Sequence, residues 1–141
     1  MSEYRKPLPV PDDLSRPYWE AARRHTLTIL RCEACGRWVH YPKARCTACH
    51  QEALRPTPVS GRGTIYTYTV SHRAGAPGFE DEIPYVIVLV ELEEQPGLRV
   101  VGNLRQCTPG DVRVGMPVEV TFEDVTDDVS LPQFRPRSVR A

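Results

Sequence analysis

Neither sign of charge dominates this chain: 18 Lys and Arg balance 18 Asp and Glu over 141 residues. That removes overall charge as a driver of nucleic-acid or membrane binding. No run of about 18 apolar residues is present to cross a bilayer as a helix. The opening "MSEYRKPLPVPDDL" has no apolar stretch of the secretory kind. The expected address is therefore the cytoplasm, where structural disulfides are rare. Catalytic signatures are also missing. There is no Gly-x-Ser-x-Gly, no Ser-x-x-Lys, no phosphate loop and no dinucleotide fingerprint. No internal repeat occurs, and the length suits one domain or two very small ones.

What the chain does have is proline, 14 residues of it, about twice the usual share. Such a composition favours short strands and loops over long helices. Residues 1–11 read as a loose, Pro-rich arm. In "DDLSRPYWEAARRHTLTIL", Ser15 can cap a helix and Pro17 is tolerated in its first turn. Leu14, Tyr18, Ala21, Ala22 and His25 fall at helical spacing, and Arg23 and Arg24 sit where the helix dipole favours cations. The spacing predicts a short helix over 15–25, within an N-terminal segment 1–25.

Four of the five cysteines lie in "RCEACGRWVHYPKARCTACH", as two Cys-x-x-Cys pairs ten residues apart. Two residues between cysteines bring both thiolates to one side of a tight turn. Two such knuckles make a tetrahedral sulfur site, which Zn²⁺ accepts. Cys32, Cys35, Cys46 and Cys49 are thus the expected metal ligands, with zinc as the expected ion and iron as its rival. Four sulfurs close the coordination shell, so the metal is expected to be structural. A module of this size, residues 26–55, cannot bury enough apolar surface to fold alone. His50 beside Cys49 is expected at the surface.

The Pro/Gly-rich "PTPVSGRG" (56–63) predicts a connector and the start of a second module, 56–141. Strand signals follow. "GTIYTYTV" alternates, with Tyr66, Tyr68 and Val70 on one face and Ile65, Thr67 and Thr69 on the other. "PYVIVLVEL" is apolar on both faces and reads as a central strand. "GLRVVGNL" turns Leu98, Val100, Gly102 and Leu104 inward, with the glycine at a bulge or bend. "PVEVTFE" places Val118, Val120 and Phe122 inside. "LPQFRPRSV" is a last, Pro-interrupted strand, which its prolines confine to an edge or a bulged position. Five short strands with one long loop (71–83) predict a barrel of the OB type. The fold class expected is mainly β: a short helix, a rubredoxin-like zinc ribbon, then a five-stranded OB barrel.

A ribbon beside an OB barrel raises single-stranded nucleic acid as a ligand. Between residues 16 and 62, nine Lys/Arg face three acids, but a zinc tetrathiolate returns about two negative charges. Residues 71–94 set Arg73 against Glu80, Asp81, Glu82, Glu91, Glu93 and Glu94, a poor rim for a polyanion. Tyr66, Tyr68, Phe79 and Tyr85 could stack bases, but core or interface roles suit them better. Nucleic-acid binding is therefore the alternative reading. The basic residues Arg23, Arg24, Arg31, Arg37 and Arg45 suit a smaller anion, such as the phosphates of coenzyme A. No catalytic residue emerges. His25, His40, His50 and His72 are scattered. His72 opens the long loop, and Cys107, flanked by Gln106 and Thr108, has no basic residue directly beside it in sequence to activate it. A stand-alone thioester enzyme would need one of those last two.

The order of parts is informative as well. "YWEA" precedes "LRCEACGRWVHYPKARCTACH", then come "VSGRGTIYTYTVSH", "PYVIVLVELEE", "VGMPVEVTFE" and "LPQFRP". From about residue 12 to 136 this resembles the acyl-CoA-associated zinc-ribbon/OB-fold family, long filed as a domain of unknown function. The resemblance implies a non-catalytic accessory subunit of a thiolase-superfamily enzyme, a steroid side-chain aldolase or an acyl-CoA hydratase. It implies an OB barrel that helps hold or pass an acyl-CoA thioester in lipid or steroid breakdown. The metal role carries over to Cys32, Cys35, Cys46 and Cys49; no cofactor-binding residue carries over. Gly75, Pro77 and Gly78 would give loop 71–83 the freedom to reach a partner.

Overall fold

A computed structural model describes residues 4–138. One α-helix and eight strands follow in order among the described residues: α1 (Arg16–Arg23), β1 (Thr28–Cys32), β2 (Trp38–Val39), β3 (Leu54–Pro58), β4 (Arg62–Ser71), β5 (Tyr85–Leu92), β6 (Arg99–Leu104), β7 (Pro117–Asp124) and β8 (Ser130–Pro136), with a short 3-10 turn (Pro109–Asp111) between β6 and β7. The chain is mainly β, as its patterning predicts.

Helix α1 is shorter than its periodicity suggests. Its last N–H groups close on the Ala21 and Ala22 carbonyls, and His25 turns to a positive φ of 56°. His25 thus leaves the helix face and stacks on Phe122 of β7 instead, at 5.2 Å. Ser15 accepts a hydrogen bond from the Asp12 backbone rather than capping the helix. Ala21 and Ala22 are buried, small enough to let α1 lie close against β1 and β8.

The first sheet has the order β2-β1-β3. β3 is the departure from the sequence reading: Pro56 and the residues around it were expected to connect, yet Leu54–Pro58 pairs antiparallel with the whole of β1. A strand at the edge of a sheet needs N–H groups on one side only, so its two prolines are tolerated there. The other five strands close a barrel in the order β4-β5-β6-β8-β7, the 1-2-3-5-4 circuit of an OB fold. β5 alternates cleanly, with Val86, Val88, Val90 and Leu92 inside. Phe134 of β8 fills the centre and is fully buried; β8 is neither an edge nor bulged, because it closes the barrel between β6 and β7 in unbroken register with β7. Gly102 is not a bulge. Its register with Val88 is continuous, and a Cβ there would meet the Phe134 ring at 3.1 Å. The bulge lies in β4, between Ile65 and Thr67.

β6 and β8 touch in register at one pair, Leu104 with Phe134. Side chains finish the seam. Gln133 accepts from the Asn103 N–H at 2.7 Å, and the Tyr41 hydroxyl accepts from the Val101 N–H at 3.3 Å. Tyr41 belongs to the cysteine-bearing segment, so the two sheets are joined at this point. They also share a core: Leu27, Ile29 and Trp38 cluster with the barrel interior.

The N-terminal arm, expected to be loose, is lashed to loop 71–83. Arg5 binds Asp81 at 2.8 Å and Lys6 pairs with Glu82 and lies over Phe79.

Candidate metal centre and docking surface

Cys32 ends β1, and the turn after it is closed by Gly36 N–H donating to the Cys32 carbonyl at 2.8 Å. Gly36 sits at φ 80°, a conformation open to glycine at little cost. The second turn repeats this pattern. The His50 N–H donates to the Cys46 carbonyl at 3.0 Å, with His50 at φ 64°. His50 therefore serves as the left-handed residue of its knuckle and stays exposed, as expected of it.

The two turns face each other. All four sulfurs lie within 4.8 Å of one another. Cys32 and Cys49 stand 3.6 Å apart, as do Cys35 and Cys46. A disulfide needs about 2.05 Å, whereas a tetrahedron of sulfurs around zinc, at about 2.3 Å from each, has edges of about 3.8 Å. The cage has the dimensions of a metal site. Its electrostatics agree. The Cys49 and Ala48 backbone N–H groups hold the Cys46 thiol down to about 6. At Cys49 the Gln51 N–H acts in the same direction, but burial and the other three sulfurs push it up to about 11. Four thiolates crowded together require a cation before all can ionise.

The remaining candidates do not converge. Arg23 and Arg24 line a cleft with Glu20, Asp124 and Asp127, while Arg31 lines a different one. Arg31 lies over the Trp38 ring and donates to the Gly36 carbonyl, and Arg45 pairs with Glu52. No shared phosphate cradle results from these. His72 is exposed on the loop. Burial and then Asp111 push the Cys107 thiol above its usual value, the wrong direction for a nucleophile. Ser130 and His25 both bond Asp124, at 2.5 and 2.8 Å. These are the residue types of a hydrolytic triad, but the serine donates to the carboxylate and no base activates it. Tyr66 and Tyr68 are exposed on β4, and Arg99 stacks on Tyr66 at 3.7 Å. Phe79 packs with Tyr85.

Sequence reasoning missed Tyr41, Gln95 and Gln133. Each acts through a contact with a residue 30 or more positions away, and nothing local marks it. Among the described residues no helix is long and apolar enough to cross a membrane.

A sulfur-caged ribbon docked on an OB barrel defines the class, and comparison with known proteins gives the family. Residues 19–55 match the family model described as "ChsH2, rubredoxin-like zinc ribbon domain", and residues 56–123 match "ChsH2, C-terminal OB-fold domain". A DUF35 domain-containing scaffold protein of Methanocaldococcus jannaschii is 37% identical over 80% of this chain and 79% of its own. The chain belongs to the DUF35 family of zinc-ribbon/OB-fold proteins. It is also 38% identical, over 84% of its length, to a probable enoyl-CoA hydratase alpha subunit of Thermomonospora curvata, but spans only 36% of that relative. The benzoylsuccinyl-CoA thiolase subunit BbsA of Thauera aromatica is 30% identical over 86% of this chain and 74% of its own. Among solved structures, a chain of the Ltp2-ChsH2(DUF35) aldolase superposes with a TM-score of 0.83 at 36% identity, over 92% of this chain and 98% of that one.

Proposed function

We propose that this protein is a non-catalytic partner subunit of a thiolase-superfamily enzyme, a thiolase or a related aldolase, that acts on acyl-CoA thioesters. The observation that carries this reading is the near full-length superposition on a chain of a two-protein aldolase. The kinship to a thiolase subunit and to a hydratase subunit points the same way. The two relatives' names share coenzyme A and differ in the acyl group, so the thioester handle is the common element proposed here. Steroid- and lipid-derived acyl chains are the class we favour for the partner's substrate. In this reading the barrel helps to hold or pass the thioester.

Zn²⁺ is the proposed occupant of the cage formed by Cys32, Cys35, Cys46 and Cys49, in a structural role. With all four positions filled by sulfur, it would supply cross-linking and no open site for chemistry. Chemistry would then come from the partner, since among the described residues neither His72 nor Cys107 has an activating partner. The test is co-expression with a thiolase-fold enzyme from the source genome, followed by purification through a tag on one chain. The expected result is a stable complex whose thioester activity exceeds that of the enzyme alone. Two proteins that never associate, together with an enzyme fully active alone, would overturn the proposal.

A further inference from the structure

The barrel leaves one strand edge undefended. β4 pairs with β5 from Gly63 to Ser71, but its other side meets β7 only over Arg62–Thr64. At Ile65 that second side is finished by the Met116 carbonyl and the Gly115 N–H, at 3.0 and 2.8 Å. Beyond it, the bulge at Tyr66 swings the strand away. From Tyr66 to Ser71 no strand, turn or side chain pairs with this edge among the described residues. In an antiparallel strand every second residue turns its N–H and C=O outward, so a row of paired donors and acceptors faces solvent.

Exposed edges are normally blunted by proline, by charge or by shortness. The ribbon sheet follows that rule: its β3 edge carries Arg55, Pro56 and Pro58, and β2 is two residues long. The open stretch of β4 does not. Tyr66-Thr67-Tyr68-Thr69-Val70-Ser71 holds no charge and no proline, every residue type in it but serine favours a strand, and Tyr66 and Tyr68 remain 48% and 38% exposed. Resting on the reading of this chain as a partner subunit, we propose that this edge is where an extended segment of the partner enzyme adds as a sixth strand.

Charge decides between that occupant and a second copy of this chain. Arg73 lies just past one end of the free edge, and Arg113 begins the turn that blocks the other. Both are exposed, and neither forms an ion pair among the described residues. Two copies laid antiparallel on this edge would bring Arg73 of each against Arg113 of the other. A foreign strand with a carboxylate at each end meets both arginines favourably. The segment that fits is thus short, rich in β-branched or aromatic residues, and flanked by Asp or Glu. Main-chain pairing would supply affinity, and the two end charges would set direction and register.

The experiment is hydrogen exchange on the full chain, alone and in complex with the co-expressed thiolase-fold enzyme. It is paired with the variants Thr67→Lys/Thr69→Lys and Arg73→Glu/Arg113→Glu. The outward-facing amides within 66–71 are expected to exchange quickly in the free chain and to become protected in the complex, while those bonded to β5 are protected in both. Thr67→Lys/Thr69→Lys should weaken binding by at least about tenfold, because lysine guards an edge against added strands. The double charge reversal should weaken it less and reduce its dependence on salt. Metal content and circular dichroism of each variant report that the fold is intact. A complex that forms with no added protection at 66–71 overturns the edge and leaves the partner reading standing. Failure to form any complex overturns both. A free chain that sediments as a dimer through this edge replaces the foreign strand with a second copy and overturns the proposal.

Discussion

The ribbon and the barrel reach stability by different means. The barrel encloses a continuous apolar interior built from Val86, Val88, Val90, Val100, Val118 and Phe134, all nearly inaccessible to solvent. The ribbon's own buried cluster consists of Cys32, Val39 and Cys46, with Cys49, Ala53 and Leu54 packed against it. Half of those six residues are cysteines of the cage. Apolar burial is therefore too small to hold residues 32–54 in shape, whereas the barrel needs no cross-link. One chain thus contains a part that folds by exclusion of water and, on the reading proposed above, a part that folds by coordination.

The sharpest way to break this comparison is to deny the cage its proposed metal. Chelation, or Cys46→Ser, should release the knuckles while leaving the barrel closed. Structural zinc contributes roughly 10–16 kcal/mol in zinc-finger peptides near neutral pH, far more than the ribbon's burial can replace. The measurement is amide exchange in the stripped protein. Protection should vanish over 32–54 and persist over 86–104. If both regions lose protection together, the two halves form one cooperative unit and the contrast is wrong.

Acid offers a second and smaller lever on the ribbon side. His40 packs against Tyr41 and Tyr18, with ring centroids 4.1 and 5.6 Å away. Burial pushes its pKa down from 6.5 to about 4. A histidine held neutral by the fold binds fewer protons than it does unfolded. Its environment therefore costs nothing above pH 6.5, and stability falls as the pH drops from 6.5 towards 4. The loss is at most about 3 kcal/mol over that window. Unfolding by urea at pH 7.5 and pH 5 should show it, and His40→Phe should flatten the difference. An equal pH dependence in the variant would assign the acid sensitivity to other groups.

The barrel was legible in the sequence because period-two alternation survives wherever one face is buried and the other wet. Val118 and Val120 of β7 announce their strand without knowledge of the partner strands. β5 is apolar on both faces in sequence, so its unbroken apolar run shows only that it is a strand, and which face is inside emerges from the barrel. The cage was legible because two Cys-x-x-Cys turns constrain where the sulfurs can go. β3 was hidden because Pro56 and Pro58 signal a break, and only its edge position reconciles them with a strand. The arm was hidden because Lys6 and Arg5 gain order from Glu82 and Asp81, some 76 residues on. Gly102 reads from sequence as a bend; its actual role, making room for Phe134, depends on which strand closes the barrel. The strand order that produces the open β4 edge is likewise a property of the closed sheet.

The joint between the two regions is the subtlest part of the comparison. Gln95, in the turn between β5 and β6, accepts the Trp38 N–H at 3.0 Å and donates its amide to the Trp38 carbonyl at 3.1 Å. A side-chain amide thus does for β2 what a neighbouring strand would do, and it belongs to the barrel. Gln95→Ala would leave the Trp38 backbone unpaired beside a ring that is only 9% exposed. The expected cost is about 1–3 kcal/mol, the penalty for orphaning a buried polar pair. Gln95→Glu keeps the acceptor, loses the donor and should fall between the two. Tryptophan fluorescence reports the joint directly, because Trp38 carries the contact, and a thermal melt reports the whole. If Gln95→Ala shifts the fluorescence while the sulfur cage still holds its metal, the ribbon and the barrel are two separately supported bodies joined at Trp38. If the metal is lost as well, the ribbon relies on the barrel for its shape, and coordination alone does not explain how it folds.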